Sequence, residues 1–92
     1  MKQELAEQIG YQALAWLAGQ DELWSVFLGS TGASLEDIKR DAQSLEFIGS
    51  VLDFVMMDDA WVVAFCDEVK ISYDTPMRAR GALPGGEAVH WT

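Results

Sequence analysis

Positive charge is what this 92-residue sequence has least of: six lysines and arginines stand against fifteen aspartates and glutamates, for a formal net charge of −9. Nucleic-acid binding runs on clustered cations that displace counterions from phosphates, so the balance argues against nucleic acid as a partner. Attraction to anionic membrane surfaces is disfavoured on the same ground. A single cysteine, Cys66, excludes an internal disulfide framework and a multi-cysteine metal site. Long apolar runs are missing too. The longest stretches without a charged residue, Gln8–Gln20 and Leu23–Leu35, have 13 residues each, whereas a bilayer crossing takes about 20 apolar ones. Glu4 and Glu7 interrupt the region where a signal peptide needs an unbroken apolar segment. These absences predict a cytoplasmic chain with no membrane partner.

What is present is apolar. Half of the residues are hydrophobic and four are tryptophans, which excludes a wholly disordered acidic tail. The length allows one domain, expected over 1–86, with residues 87–92 as a flexible C-terminal tail. A chain of this size buries roughly 60–70% of its unfolded surface, so one core suffices without staples.

Helical spacing dominates. Leu5, Ile9, Ala13, Trp16 and Leu17 form one stripe and predict a helix over 3–18. Gly10 lies inside it at a cost of about 1 kcal/mol relative to alanine, which points to close packing there. Gly19 reads as a left-handed cap and Asp21 as the N-cap of a second helix over 22–29, with Leu23, Trp24, Phe27 and Leu28 inward. After the turn at Gly29–Ala33, Ser34 and Asp37 resemble a capping box opening a helix over 35–42. Ser44 opens a fourth helix, apolar nearly all round at Phe47, Ile48, Val51, Leu52, Val55 and Met56, expected to be central and most buried. Asp58 or Asp59 caps a fifth helix that turns Trp61, Val62, Phe65, Cys66 and Val69 inward. Val69–Tyr73 alternates like a strand but has no partner, and reads as an extended linker. Thr75 and Pro76 then start a sixth helix running to about Ala82, with threonine at the cap.

The chain also resembles itself at an offset of 38 residues. Asp21 to Arg40 matches Asp59 to Arg78 without gaps, pairing Asp21 with Asp59, Phe27 with Phe65, Ser34 with Ser72 and Arg40 with Arg78. Two explanations stand: a pair of pseudo-repeated helical hairpins flanking the fourth helix, or chance likeness between amphipathic helix pairs.

A wider resemblance follows from Trp24-Ser-Val-Phe27-Leu28-Gly29-Ser-Thr-Gly32, Asp37-Ile38-Lys39-Arg40, Val51-Leu52-Asp53-Phe54-Val55 and Ala60-Trp61-Val62-Val63-Ala64-Phe65-Cys66. These segments resemble the small bacterial proteins of domain-of-unknown-function family 3572, found mainly in alphaproteobacteria. The likeness runs from about Ala13 to Gly86. Gly29 and Ser30 stand where the family tends to have an apolar pair. It implies a helical fold and transfers no activity, because none is assigned to the family.

Convergent catalytic groups are scarce. His90 lies in the expected tail without an orienting partner, and Cys66 lies beside Phe65 on the inward stripe, so it reads as a buried, inert thiol. Asp53, Asp58 and Asp59 are the low-ranked metal candidates: three carboxylates suit a hard cation, but no calcium-loop pattern accompanies them and capping accounts for two. Asp67 and Glu68 oppose the dipole at the C-terminal end of their helix, offset in part by Lys70. Such breaks of local rules are where function hides, but a solvated helix end is the favoured reading of both acids. Arg78 and Arg80 form a small positive spot, and a helix-turn-helix reading of 22–42 puts three acids and two bases on the second helix. Met56, Met57 and Trp91 are the partner-binding candidates, although Met56 also continues the buried stripe and Met57 also serves as a space filler.

The expected architecture is all-α, a compact bundle of five or six short helices. The expected function is non-catalytic and without cofactor: a protein-protein interaction module, or a self-associating one, using an apolar patch near the fourth helix or the tail. The alternative is a small-molecule or divalent-cation-binding helical domain using Asp53, Asp58 and Asp59, and third comes nucleic-acid binding by the 22–42 hairpin.

Overall fold

Apolar stripes and capping residues set out six helices in the computed structural model, which describes residues 1–32, 34–41 and 44–83. They are α1 (Gln3–Ala18), α2 (Asp21–Thr31), α3 (Leu35–Asp41), α4 (Leu45–Val55), α5 (Asp59–Val69) and α6 (Thr75–Gly81). Among the described residues there is no strand, and no helix is long and apolar enough to cross a membrane. The expected tail, with His90 and Trp91, lies outside the described residues.

Three helix starts follow the side-chain chemistry read from the sequence. Ser34 and Asp37 form the reciprocal box: the Asp37 N–H donates to Ser34 Oγ at 3.2 Å, and the Ser34 N–H donates to Asp37 Oδ2 at 3.0 Å. That backbone donor, before any other cause, holds the Asp37 carboxyl below the ordinary aspartate range. Ser44 Oγ accepts from the Phe47 N–H at 3.4 Å, and Asp58 Oδ1 accepts from the Ala60 N–H at 2.8 Å.

Five local expectations are corrected. Helix α2 does not stop at Gly29 but runs on to Thr31, and the Ser30 and Thr31 hydroxyls both fold back onto the Phe27 carbonyl. Its left-handed cap is Gly32, with φ 70°, whereas Gly19 keeps a right-handed φ of −84°. Asp21 does not cap α2: Gln20 is the N-cap and Asp21 opens the helix, its charge facing the positive end of the dipole. Val69–Tyr73 is not an extended linker. Lys70 turns left-handed at φ 61°, and the Ile71 N–H reaches back to the Cys66 carbonyl at 3.0 Å. Likewise Asp74 and not Thr75 is the N-cap of α6, since the Thr75 hydroxyl is taken by Ser72 Oγ at 2.7 Å.

The core gathers Leu17 of α1, Phe27 of α2, Ile48, Val51, Leu52 and Val55 of α4, and Phe65 and Cys66 of α5, all without exposed surface. Helix α4 supplies the densest burial, as its all-round apolar sequence predicts. It is not, however, the element around which the others are arranged. Helix α1 packs against α2, α4, α5 and α6. Its 16 residues extend about 24 Å, nearly the full width of a body measuring 30 × 26 × 25 Å. Close approach of α1 to α4 requires Gly10, where a Cβ would overlap Ile48 Cγ2 and lie 3.3 Å from Ile48 Cβ. An aromatic row ties α2, α4 and α5 together: Trp24 to Phe27 at 5.7 Å, Phe27 to Phe54 at 5.3 Å and Phe54 to Trp61 at 5.1 Å between ring centroids.

The 38-residue self-likeness has a structural counterpart in one helix of each pair. Helices α2 and α5 are each 11 residues long, and both start and end at that offset. Both stop at a left-handed residue, Gly32 and Lys70, and both bury a phenylalanine completely, Phe27 and Phe65. The offset fails immediately afterwards. Helix α6 begins two residues later than α3 predicts, because Ser72 bonds to Thr75 and Asp74 where Ser34 caps its own helix.

Candidate functional site

Chemistry-bearing side chains are spread over the described residues, and several are taken up locally. Cys66 is fully buried, and burial pushes its thiol above the ordinary range, away from the thiolate that nucleophiles need. Tyr73 donates its hydroxyl to Asp67 Oδ1 at 2.8 Å, and that bond raises the phenol. Ser72 donates to Asp74 Oδ1 at 2.6 Å, which lowers the Asp74 carboxyl.

The three aspartates named as metal candidates serve separate local purposes. Asp53 accepts from Arg80 Nε at 2.8 Å, Asp58 caps α5 through the Ala60 N–H, and Asp59 lies in the first turn of the same helix. No group of three His, Cys, Asp or Glu among the described residues is placed to hold a metal ion. Arg80 is therefore not part of a free positive spot with Arg78. It lies folded over α4 with its side chain 19% exposed.

The methionine pair divides. Met56 is half-buried and packs against the core, whereas Met57 is 74% exposed. Met57 precedes the N-cap Asp58, the place from which a hydrophobic staple would reach Val62 four positions into the helix. Its exposure leaves that role unfilled. Beyond it the outer face of α5 continues with Ala60, Val63 and Ala64, all exposed. Their helical spacing sets them in one stripe, opposite the face that buries Phe65 and Cys66.

A second feature was not visible as a site in the sequence. An open cleft of about 430 Å³ lies between the C-terminal ends of α1 and α5, lined by Gln12, Ala15, Trp16, Gly19, Gln20, Glu68 and Val69. Trp16 is held in its wall by tilted packing on Phe65, with centroids 5.8 Å apart and planes at 57°. Of the two acids that oppose the α5 dipole, Asp67 is bonded to Tyr73, while Glu68 stands at the cleft. The misplaced charge of Glu68 is the one sequence signal that points here. Gln12 and Gln20 carry no such signal, since exposed glutamines occur everywhere.

No curated protein and no solved structure matches the chain. A family model does match, over residues 3–86, and its description is "Protein of unknown function (DUF3572)". That span takes in all six helices together with the exposed α5 stripe and every residue lining the cleft, so the chain belongs to the DUF3572 family.

Proposed function

We propose that this chain is a non-catalytic interaction module that docks a protein partner, or a second copy of itself, on the outer face of α5 beginning at Met57. The observation that carries this reading is the exposure of Met57, 74% in a position where a staple onto α5 is the ordinary role. Val63 extends the apolar surface on the same helix and is 39% exposed. Unbranched methionine adapts to varied partner surfaces, and its burial in an interface recovers apolar area that now faces water. The scatter of the titratable groups among the described residues adds support, because catalysis requires them to converge.

Sedimentation at micromolar concentration, combined with pull-down from lysate, tests the reading in wild type and in Met57→Glu. Position 57 is exposed, so the fold is expected to be unaffected and circular dichroism to stay the same. Wild type associates or recovers a partner, and Met57→Glu loses it. A strictly monomeric wild type that recovers no partner overturns the proposal.

A further inference from the structure

We propose that the cleft between the ends of α1 and α5 binds an organic cation, a guanidinium or alkylammonium group, with Glu68 as its counter-ion and Trp16 as its aromatic wall. The inference is independent of Met57, which lies at the opposite end of α5.

Three features converge on that charge sign. The cleft is built on two helix C-termini, each carrying the equivalent of about half a negative charge. Neither helix has a basic residue in its last turn, and among the described residues no cationic side chain lines the space. Glu68 then adds a full negative charge where the dipole disfavours it, and it forms no hydrogen bond or ion pair among the described residues. At the end of α5 the Cys66 carbonyl is taken by the N–H groups of Lys70 and Ile71, but the last three carbonyls have no donor within the helix. Helix α2 also begins at the rim, at Gln20, yet its positive end is answered by Asp21 and Glu22 in its first turn. Lys70 follows Val69 but does not line the cleft.

The remaining lining suits a planar or tetrahedral nitrogen cation. Trp16 offers the π-surface that attracts such ions, and its ring is fixed by Phe65. Gln12 and Gln20 also line the cleft, and a glutamine amide carries a carbonyl able to accept N–H bonds. The volume of about 430 Å³ falls within the range of small-ligand pockets, and it accommodates such a group with part of its alkyl stem.

Amide and indole NMR shifts during titration with butylguanidinium test this, with uncharged butylurea as the isosteric control. Shifts are expected at the Trp16 indole N–H and the amides of Gly19, Gln20, Glu68 and Val69. Glu68→Gln keeps the shape and one acceptor oxygen but removes the charge, and weakens binding about three- to fivefold. A blocked Ala-Arg-Ala peptide forms the second arm. Binding at least as tight as that of butylguanidinium identifies an arginine or lysine side chain of a protein as the natural source. Butylguanidinium binding without peptide binding identifies a free small cation. Absence of shifts at these residues with both probes overturns the proposal, as does equal binding of butylurea or unchanged affinity in Glu68→Gln.

Discussion

Arg80 reaches Asp53 by lying across Gly49: its Nε donates to Asp53 Oδ1 at 2.8 Å, and a Cβ on Gly49 would meet its Nη1 at 2.5 Å and its Cζ at 2.9 Å. Glycine 49 and aspartate 53 are one turn apart on α4, so a single α6 side chain reads two successive turns of the neighbouring helix. Alanine at position 49 gains about 1 kcal/mol of helix propensity but pushes aside the end of a flexible side chain. The ion pair it displaces is half-open to solvent on the Asp53 side, and such pairs contribute up to about 1 kcal/mol. Gly49→Ala therefore stays within about 0.5 kcal/mol of wild type. Urea unfolding of the double-mutant cycle shows the coupling: Asp53→Asn destabilises wild type but has almost no effect in the Gly49→Ala background.

Gly10 behaves oppositely, although it too lies within a helix. The obstruction there is Ile48 Cγ2, a branch of a fully buried side chain with no room to move. Overpacking of this kind costs about 1–3 kcal/mol, which exceeds the propensity gain of about 1 kcal/mol. Gly10→Ala is expected to lower the urea midpoint, by an amount worth about 1 kcal/mol, without changing the slope of the transition.

The left-handed caps of α2 and α5 give a pair of predictions with opposite sign. Lys70 holds φ 61° despite its Cβ, while Gly32 holds φ 70° at the equivalent position with nothing near. A left-handed conformation costs a side-chain-bearing residue about 1–2 kcal/mol, and glycine offsets part of that gain through its greater unfolded entropy. Lys70→Gly is expected to stabilise by about 0.5 kcal/mol and Gly32→Ala to destabilise by about 1 kcal/mol. Thermal unfolding of both variants measures the difference.

These caps also mark where sequence reading reached its limit. Helix existence was legible because the stripes of α1, α4 and α5 and the caps at Ser34, Ser44 and Asp58 are local chemistry within four residues. The left-handed Lys70 was not, since lysine carries no preference for that conformation. The same holds for the site. Met57 was readable as an apolar residue in excess, but its exposure depends on how α5 docks. The cleft requires Trp16 and Glu68, 52 residues apart, to be brought together by the packing of α1 on α5.

Tyr73 and Asp67 predict an alkaline transition. The hydrogen bond to Asp67, followed by its charge, raises the phenol above the ordinary tyrosine range in the folded protein. A group whose folded pKa is raised contributes its stability in full below the unfolded pKa, and that contribution is lost as pH rises through the folded value. Stability is therefore expected to fall above pH 10, with the tyrosinate absorbance of Tyr73 appearing later than that of an unfolded tyrosine. In a Tyr11→Phe background, where Tyr73 absorbs alone, Asp67→Asn moves its titration to lower pH. A titration that stays in place shows that the bond is not formed in solution.

Glu68 predicts a separation of stability from binding. Its carboxylate lies in the last turn of α5, against the negative end of the dipole and without a partner among the described residues. Removing that charge relieves the unfavourable interaction, so Glu68→Gln is expected to stabilise the fold by a few tenths of a kcal/mol at low ionic strength. The gain shrinks as salt screens the exposed site. A residue present only for the fold would show the reverse, a loss of stability on substitution. Stability gained in the same variant that loses affinity for butylguanidinium places Glu68 among residues retained for a ligand at the expense of the helix that carries it. Thermal unfolding at two salt concentrations, in parallel with the NMR titration, measures both quantities on one preparation.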